Sequence, residues 1–291
     1  MRVVSLLPSA TEIVYALGLG EQLVGVTFEC DEPPRARAEK AVLVGGLDTA
    51  GMTPADVDAA VRARVAAGED LYTLDAGALA ALDPDVVLTQ DLCRVCALPA
   101  GSVDDALAHL GCRADVVTLD PHTLEDVLAT ITTVGERTGT APRAAELVAS
   151  LRARLDAVAR RVAGRPRPRV AVVEWVDPPF PAGHWVPDLV TAAGGQPVAC
   201  RPGQRSAPVP WAEFTAARPD VVVVAPCGFG LDGAAGQAAD VAGRLPGVPV
   251  WAVDGNAVVV RPGPRLVDGV EALAALLHGG DPPPHLAVRV A

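Results

Sequence analysis

The sequence predicts an α/β protein with two Rossmann-like lobes, whose parallel sheets are joined by one long α-helix. Strand-like and helix-like segments alternate along most of the 291 residues, a pattern typical of parallel sheets covered by helices. The segments PDVVLTQDLC at 84–93 and PDVVVVAPCG at 219–228 share one pattern, which is Pro-Asp, an apolar run and then a cysteine. A long helical pattern separates the two segments. We therefore predict an N-terminal lobe at 1–138, a linking helix at 139–166 and a C-terminal lobe at 167–291.

Elements of the N-terminal lobe follow from apolar runs and helix signals. The apolar runs predict strands at 2–7, 23–30, 85–89 and 114–120. The sequence Ser9-Ala-Thr-Glu12 matches a capping box, which predicts a helix that begins there and ends near Gly18. Spacings of three and four between apolar residues predict further helices at 53–66, 75–82, 103–110, 123–138 and 142–162.

The C-terminal lobe shows the same plan. Apolar runs predict strands at 170–175, 221–224 and 248–254, and helical spacing predicts helices at 186–195 and 266–277. The segment DPPFPAGHW at 177–185 contains three prolines and is interpreted as a loop. In open parallel sheets, ligands bind beyond the carboxyl ends of the strands, so the loops that follow these strands are the candidate site.

Charge and composition narrow the classes of partner. The net charge is −11, which argues against nucleic acid or an anionic membrane surface as the main partner. No run of 18 apolar residues occurs, so no membrane span is expected. The opening MRVVSLLPSATE has too short an apolar run for a signal peptide, so a cytoplasmic location is expected.

Cysteines are concentrated after predicted strands. Cys93 and Cys96 form a Cys-x-x-Cys pair, and Cys30 and Cys227 lie at the matching ends of other predicted strands. Reduced thiolates at such spacing favour zinc, iron, an iron–sulfur cluster or a dithiol switch, so these four residues are candidate metal ligands. The alternative is that each thiol is a small buried apolar group, which is how we interpret the remaining two, Cys112 and Cys200.

Several motifs resemble one family of transport proteins. These are RVVSLLPSATEIVYALGLGEQLVGVT at 2–27, ECDEPP at 29–34, VPW at 209–211 and RPGPR at 261–265, with the two Pro-Asp strands. Together they resemble the helical-backbone (class III) substrate-binding proteins of ABC importers for vitamin B12, haem and ferric siderophores. The cobalamin-binding branch is the most similar. The resemblance implies two lobes, a rigid helix between them and a shallow ligand cleft.

By position, the resemblance implies ligand contacts from the loops after the strands. The residues are Ser9, Thr11, Glu29, Asp31, Gln90, Asp91, Glu174, Trp175, Phe180, His184, Trp185, Phe229, Asn256 and Arg261. The aromatic residues among them would supply apolar contact with a corrin ring. His184 is either a loop residue before a helix or an axial ligand to a metal.

Two functions of different classes remain open. The first is non-catalytic binding of a cobalamin-type corrinoid or related metal chelate in the cleft between the lobes, with an ABC permease as a further candidate partner. The second is a cytoplasmic metalloprotein, an enzyme or a sensor, with a cysteine-ligated zinc, iron or iron–sulfur site in the same cleft. A third reading is an importer component whose leader was lost or is encoded upstream of this sequence.

Overall fold

A computed structural model describes residues 1–47, 49, 51–91, 100–109 and 113–291. Contacts divide the chain into two compact units. Unit 1 comprises Met1–Asp120 and Leu128–Val148, and unit 2 comprises Pro121–Val127 and Ala149–Ala291. The lobe boundaries predicted from the sequence stay predictions.

Unit 1 is built on a sheet with the strand order β4-β3-β2-β1-β5-β6, in which β3 and β4 are antiparallel and the other pairs are parallel. Its elements are β1 (Val3–Ser5), α1 (Pro8–Ala16), β2 (Leu23–Thr27), α2 (Arg35–Glu39), β3 (Ala41–Gly46), α3 (Pro54–Ala67), β4 (Tyr72–Leu74), α4 (Ala76–Ala81), β5 (Val86–Thr89), α5 (Ala100–His109) and β6 (Asp115–Thr118). Two further helices, α6 (Leu124–Arg137) and α7 (Ala141–Val162), contribute residues to both units.

Unit 2 is built on a sheet with the strand order β10-β8-β7-β11-β12-β13, and β9 also pairs with β7. Its remaining elements are β7 (Arg169–Val176), β8 (Pro179–His184), α8 (Val186–Ala192), β9 (Gln196–Pro197), β10 (Cys200–Pro202), α9 (Trp211–Ala216), β11 (Val221–Val224), α10 (Leu231–Arg244), β12 (Val250–Val253), α11 (Gly255–Val258), α12 (Leu266–Leu277) and β13 (Ala287–Arg289).

The α/β class predicted from the sequence is confirmed, and the sheets prove to be mixed. Antiparallel pairs join β3 to β4, β7 to β8 and β12 to β13. The central strands are parallel, as expected for strands buried on both faces. In unit 2, one face of the sheet buries alternate residues of these strands with Phe214 of α9, which is fully buried. Burial of a side chain of this size stabilises the fold by roughly 1.5–3 kcal/mol.

The predicted start of α1 was wrong in position and in mechanism, because a capping box at Ser9 places the N-cap two residues after the observed one. The helix begins at Pro8, its N-cap residue is Leu7, and no side chain caps it. Proline suits the first turn because its fixed φ angle is helical and its missing N–H would have no partner there. Ser9 therefore lies inside the helix. The predicted end is confirmed, since Gly18 follows the helix with a φ angle of 73°.

The Pro-rich segment predicted as a loop is the strand β8. Pro179–Pro181 pairs with β7, and the following residues, Ala182–His184, pair with β10. Proline lacks an N–H for a sheet ladder, so it is tolerated where a strand has a neighbour on one side or beside an irregularity. Both conditions hold here, because the prolines lack a β10 partner and the register with β7 shifts between Val173 and Trp175.

Among the described residues, no helix has both the length and the apolar character needed to cross a lipid bilayer.

A close contact between α11 and α12 depends on Gly269. A Cβ atom at this position would lie 2.1 Å from the carbonyl oxygen of Val258. Gly236 in α10 offers a matched comparison, because it is exposed and has nothing within 4 Å of the place a Cβ atom would occupy.

We expect Gly269→Ala to lower the free energy of unfolding of unit 2 by about 2 kcal/mol or more, because the added methyl group overpacks the contact. Gly236→Ala should raise it by up to about 1 kcal/mol, since alanine favours helix. Urea unfolding followed by tryptophan fluorescence measures both, as all four tryptophans lie in unit 2. Equal stability of the two variants would contradict the importance of this contact.

Candidate functional site

In unit 1, a buried group of hydroxyls surrounds Cys30. The Thr11 hydroxyl oxygen lies 2.9 Å from the Ser5 hydroxyl and 3.0 Å from the Cys30 sulfur. Thr11 and Cys30 are fully buried, and Ser9 is 3% exposed. These side chains thereby connect β1 and α1 to the loop after β2. The predicted ligand contacts of Ser9 and Thr11 stay predictions.

The other predicted residues of unit 1 follow β2 and β5. Gln90 is buried, while Asp91 is exposed and its backbone N–H donates to the Asp120 carboxylate at 2.7 Å. Glu29 is partly exposed and its backbone N–H donates to the Thr27 hydroxyl at 3.2 Å. Asp31 is exposed. These side chains lie after parallel strands, as the sequence predicted.

In unit 2, two aromatic rings form a partly exposed pair, which we call the aromatic pair. Trp175 of β7 and Phe229, which follows β11, have ring centroids 5.7 Å apart and an interplanar angle of 54°. The Trp175 indole N–H donates to the carbonyl oxygen of Asp177 at 3.0 Å, which fixes the ring. Phe180 lies directly across the β7–β8 hairpin from Trp175 and is also partly exposed.

Polar groups at the same edge of the sheet are tied together by backbone hydrogen bonds. The N–H of Cys227 donates to the carbonyl oxygen of Glu174 at 3.1 Å, and the N–H of Gly228 donates to the Asn256 side-chain oxygen at 3.0 Å. The Glu174 carboxylate accepts from the N–H of Gly183 at 2.8 Å. The end of β7, the loop after β11 and the helix α11 that follows β12 are therefore close neighbours, as expected at the carboxyl ends of neighbouring parallel strands.

Trp185 lies inside unit 2. It is 6% exposed, and its indole N–H donates to the carbonyl oxygen of Val259 at 2.9 Å. The stacking role predicted for it stays a prediction. Arg261 is partly exposed, two residues after Val259.

His184 has a neighbour that the sequence analysis did not identify. Its ring centroid lies 5.9 Å from that of His122, and it also stacks on the Trp185 ring at 5.6 Å with an interplanar angle of 25°. His122 follows strand β6 in the chain, as the other predicted residues follow their strands. That positional rule alone would have indicated it.

Burial lowers the pKa of His184, and the positive charges of His122 and Arg205 lower it further. His184 is therefore a neutral imidazole at neutral pH, with one ring nitrogen carrying a lone pair.

The four-thiol metal site predicted from the sequence has no support in the described part of the chain. No group of three or more His, Cys, Asp or Glu side chains there is arranged to hold a metal ion. Cys93 and Cys96 lie outside the described residues. Cys30 is buried in unit 1, and Cys227 is exposed in unit 2.

An open pocket of about 500 Å³ lies elsewhere in unit 2, beside α12, with Arg161, Asp268, Glu271 and His285 among its lining residues. None of the predicted ligand residues lines this pocket. Two of its carboxylates, Asp268 and Glu271, are engaged by Arg154 of α7.

A model of one protein family, described as periplasmic binding protein, matches residues 3–252. The chain belongs to the periplasmic binding protein family. This agrees with the resemblance found in the sequence motifs.

Solved structures with the same fold come from the same group of proteins. A periplasmic haem-binding protein from Pseudomonas aeruginosa is 23% identical, with a TM-score of 0.72, over 100% of this chain and 98% of the other. The periplasmic vitamin B12-binding protein of Vibrio cholerae is 21% identical, with a TM-score of 0.66, over 95% of this chain and 96% of the other. At these identities the likeness shows the fold.

A curated relative shares a short and more similar segment. The vitamin B12-binding protein of Pectobacterium carotovorum is 56% identical over 36 residues, which span 12% of this chain and 13% of the relative. The match thus covers only a small part of that protein.

We expect the pKa of His184 to lie below its ordinary value of 6.5. Below pH 6.5 the unfolded chain then binds a proton at His184 that the folded chain does not bind. The contribution of neutral His184 to the free energy of unfolding is therefore fully present above about pH 6.5. It is lost as the pH falls through the lowered pKa. NMR titration of the histidine ring protons measures the pKa directly.

The variant His122→Asn should raise the pKa of His184 toward 6.5, because one repelling positive charge is removed. An unchanged pKa in this variant would show that the two rings do not interact. His285→Asn, which alters the separate pocket, is the control and should leave the pKa of His184 unchanged.

We expect Cys227 to react with N-ethylmaleimide in the native protein at least about 100-fold faster than Cys30, because Cys227 is exposed and Cys30 is fully buried. Burial also raises the pKa of the half-buried Cys200 thiol, so this cysteine should react slowly. Peptide mapping by mass spectrometry measures each rate. Rapid native labelling of Cys30 would contradict the packing described for unit 1.

Proposed function

We propose that the protein binds a cobalamin-type corrinoid or a related metal chelate without transforming it. Membership in the periplasmic binding protein family supports non-catalytic binding of a small-molecule ligand. Proteins of the same fold are described as binding vitamin B12 or haem, which are both large, planar metal chelates. The short segment shared with vitamin B12-binding proteins favours the corrinoid.

The observation that carries the proposal is the aromatic pair. Trp175 lies near the carboxyl end of β7 and Phe229 in the loop after β11, at the edge where open parallel sheets bind ligands, and both rings are partly exposed. Large aromatic surfaces give apolar contact with little loss of side-chain entropy, which suits a broad and weakly hydrogen-bonding macrocycle. Phe180 extends this surface across the hairpin.

Asn256 supplies a polar group beside the aromatic pair. Its side-chain oxygen accepts from the N–H of Gly228, and this orients the side chain. The amide N–H₂ group of Asn256 is a donor suited to the carbonyl oxygens at the rim of a corrinoid. A few such contacts fix the orientation of a ligand in a mostly apolar site.

The cytoplasmic location and an ABC permease partner stay proposals that rest on the sequence. Binding of a chelate at this site depends on neither of them.

We expect the purified protein to bind aquocobalamin or cyanocobalamin with a dissociation constant in the micromolar range or below. Trp175→Ala should weaken binding at least about 5-fold, since loss of a stacked aromatic ring in a site costs about 1–3 kcal/mol. Isothermal titration calorimetry and the visible spectrum of the cobalamin measure binding. Haemin is titrated in parallel.

The matched control is Trp211→Ala. Trp211 packs on Phe214 and beneath Arg244, away from the aromatic pair, so its loss should leave binding unchanged. Binding of haemin but not of cobalamin would overturn the assignment of a corrinoid ligand and would leave the assignment of a metal-chelate ligand in place. Binding of neither chelate would overturn the proposal.

A further inference from the structure

Two histidines from distant parts of the chain lie side by side in unit 2. His122 precedes α6, and His184 is the last residue of β8. The residues are 62 positions apart, yet their ring centroids lie 5.9 Å apart at an interplanar angle of 55°. The family assignment and the aromatic pair do not account for this arrangement.

One loop contacts both histidines. The backbone N–H of His184 donates to the carbonyl oxygen of Gln204 at 2.7 Å, and the N–H of Gly203 donates to the carbonyl oxygen of His184 at 3.0 Å. The ring nitrogen Nδ1 of His122 lies 3.1 Å from the carbonyl oxygen of the same Gly203. The loop therefore fixes the backbone of one histidine and the side chain of the other.

The contact with Gly203 also fixes the tautomer of His122. A carbonyl oxygen can only accept a hydrogen bond, so Nδ1 carries the proton in this pairing and Nε2 presents a lone pair. Histidines that bind metals usually donate their other ring N–H to a carbonyl oxygen or a carboxylate in this way. The Asp126 carboxylate, which accepts from the backbone N–H of His122 at 3.0 Å, adds a nearby negative charge.

His184 is held in a position that leaves its ring nitrogens available. Its φ angle is 43°, and its ring stacks on Trp185. In the part of the chain that the structure describes, neither ring nitrogen has a hydrogen-bond partner. The ring is partly buried, so few water molecules compete for it.

The separation of the rings matches a shared metal ion. A late first-row metal lies about 2.0–2.1 Å from an imidazole nitrogen, and thus about 3.2 Å from the ring centroid. Two imidazoles on one ion therefore have centroids about 5–6.5 Å apart, depending on the angle at the metal. The observed 5.9 Å falls within this range.

We propose that His122 and His184 form a two-imidazole site for a divalent late first-row ion such as Cu²⁺, Ni²⁺ or Zn²⁺, bound as the hydrated ion. Water fills the remaining coordination positions. Imidazole ligands suit these ions, and Cu²⁺ binds most tightly in the general order of affinities. The positive charge of the Arg205 guanidinium near His184 repels a bound cation, so a micromolar rather than a nanomolar dissociation constant is expected. The site does not depend on the chelate proposed above.

The test uses the full chain, with accessible thiols first blocked by N-ethylmaleimide so that they do not compete for metal. Asparagine is the substitute at both positions. At residue 122 its amide N–H replaces the Nδ1 donor to Gly203, and at residue 184 it tolerates the left-handed backbone. Both variants are therefore expected to fold, which circular dichroism checks.

We expect the native protein to bind one Cu²⁺ with a micromolar dissociation constant, and its electron paramagnetic resonance spectrum to show two nitrogen ligands. His122→Asn and His184→Asn should each weaken binding at least about 10-fold and leave one nitrogen ligand. The control His285→Asn should bind like the native protein. Calorimetry with Ni²⁺ and Zn²⁺ should rank the metal affinities of the native protein and the variants in the same order.

Unchanged Cu²⁺ affinity in the His122→Asn, His184→Asn double variant would overturn the proposal. So would the absence of binding of all three ions by the native protein at about 100 μM. These outcomes are separate from the chelate experiment, because the aromatic pair is unaltered in both variants and no chelate is added.

Discussion

Unit 2 depends on the backbone pairing of β7, which is hydrogen-bonded along both of its edges. Val170–Val173 pairs with β11 on one side, while β9 and β8 share the other side. At the start of the strand, the N–H of Arg169 also donates to the Asp220 carboxylate at 2.7 Å. The pairing with β11 fixes the register of β7 as far as Val173, and the pairing of Trp175 with Phe180 beyond the register shift then positions the end of the strand.

The central strands and the long helices could be predicted from the sequence because their apolar residues repeat with clear periods. Local end signals also succeeded where one motif was present without a competitor. Thr53 caps α3 through a capping box with Asp56, at the residue where the sequence predicted the helix to begin. At Ser9 the capping-box prediction was wrong. Proline favours the first turn of a helix, so the helix begins at Pro8, before Ser9. Short, partly exposed strands such as β3 have too weak a pattern to predict.

The candidate site was predictable only in part, because a sequence pattern indicates residues that follow parallel strands but not contacts made through a distant loop. Residues after parallel strands lie at a common edge, and this rule placed Trp175, Phe229 and Asn256 near one another. The pairing of His122 with His184 depends on a loop more than 18 residues past β8 in the chain, so no local pattern reports it. Strand β8 was missed because pairing with β7 overrides the usual preference of proline for loops.

The segment around α11 is restrained at several points before any ligand arrives. The Asp254 carboxylate accepts from the N–H of Ala257 at 2.8 Å, the Asn256 side chain accepts from Gly228, and Trp185 donates to Val259. Gly269 brings α12 against the same turn. A ligand that reaches this edge meets a backbone that is already ordered. Association there would therefore cost little conformational entropy of the backbone.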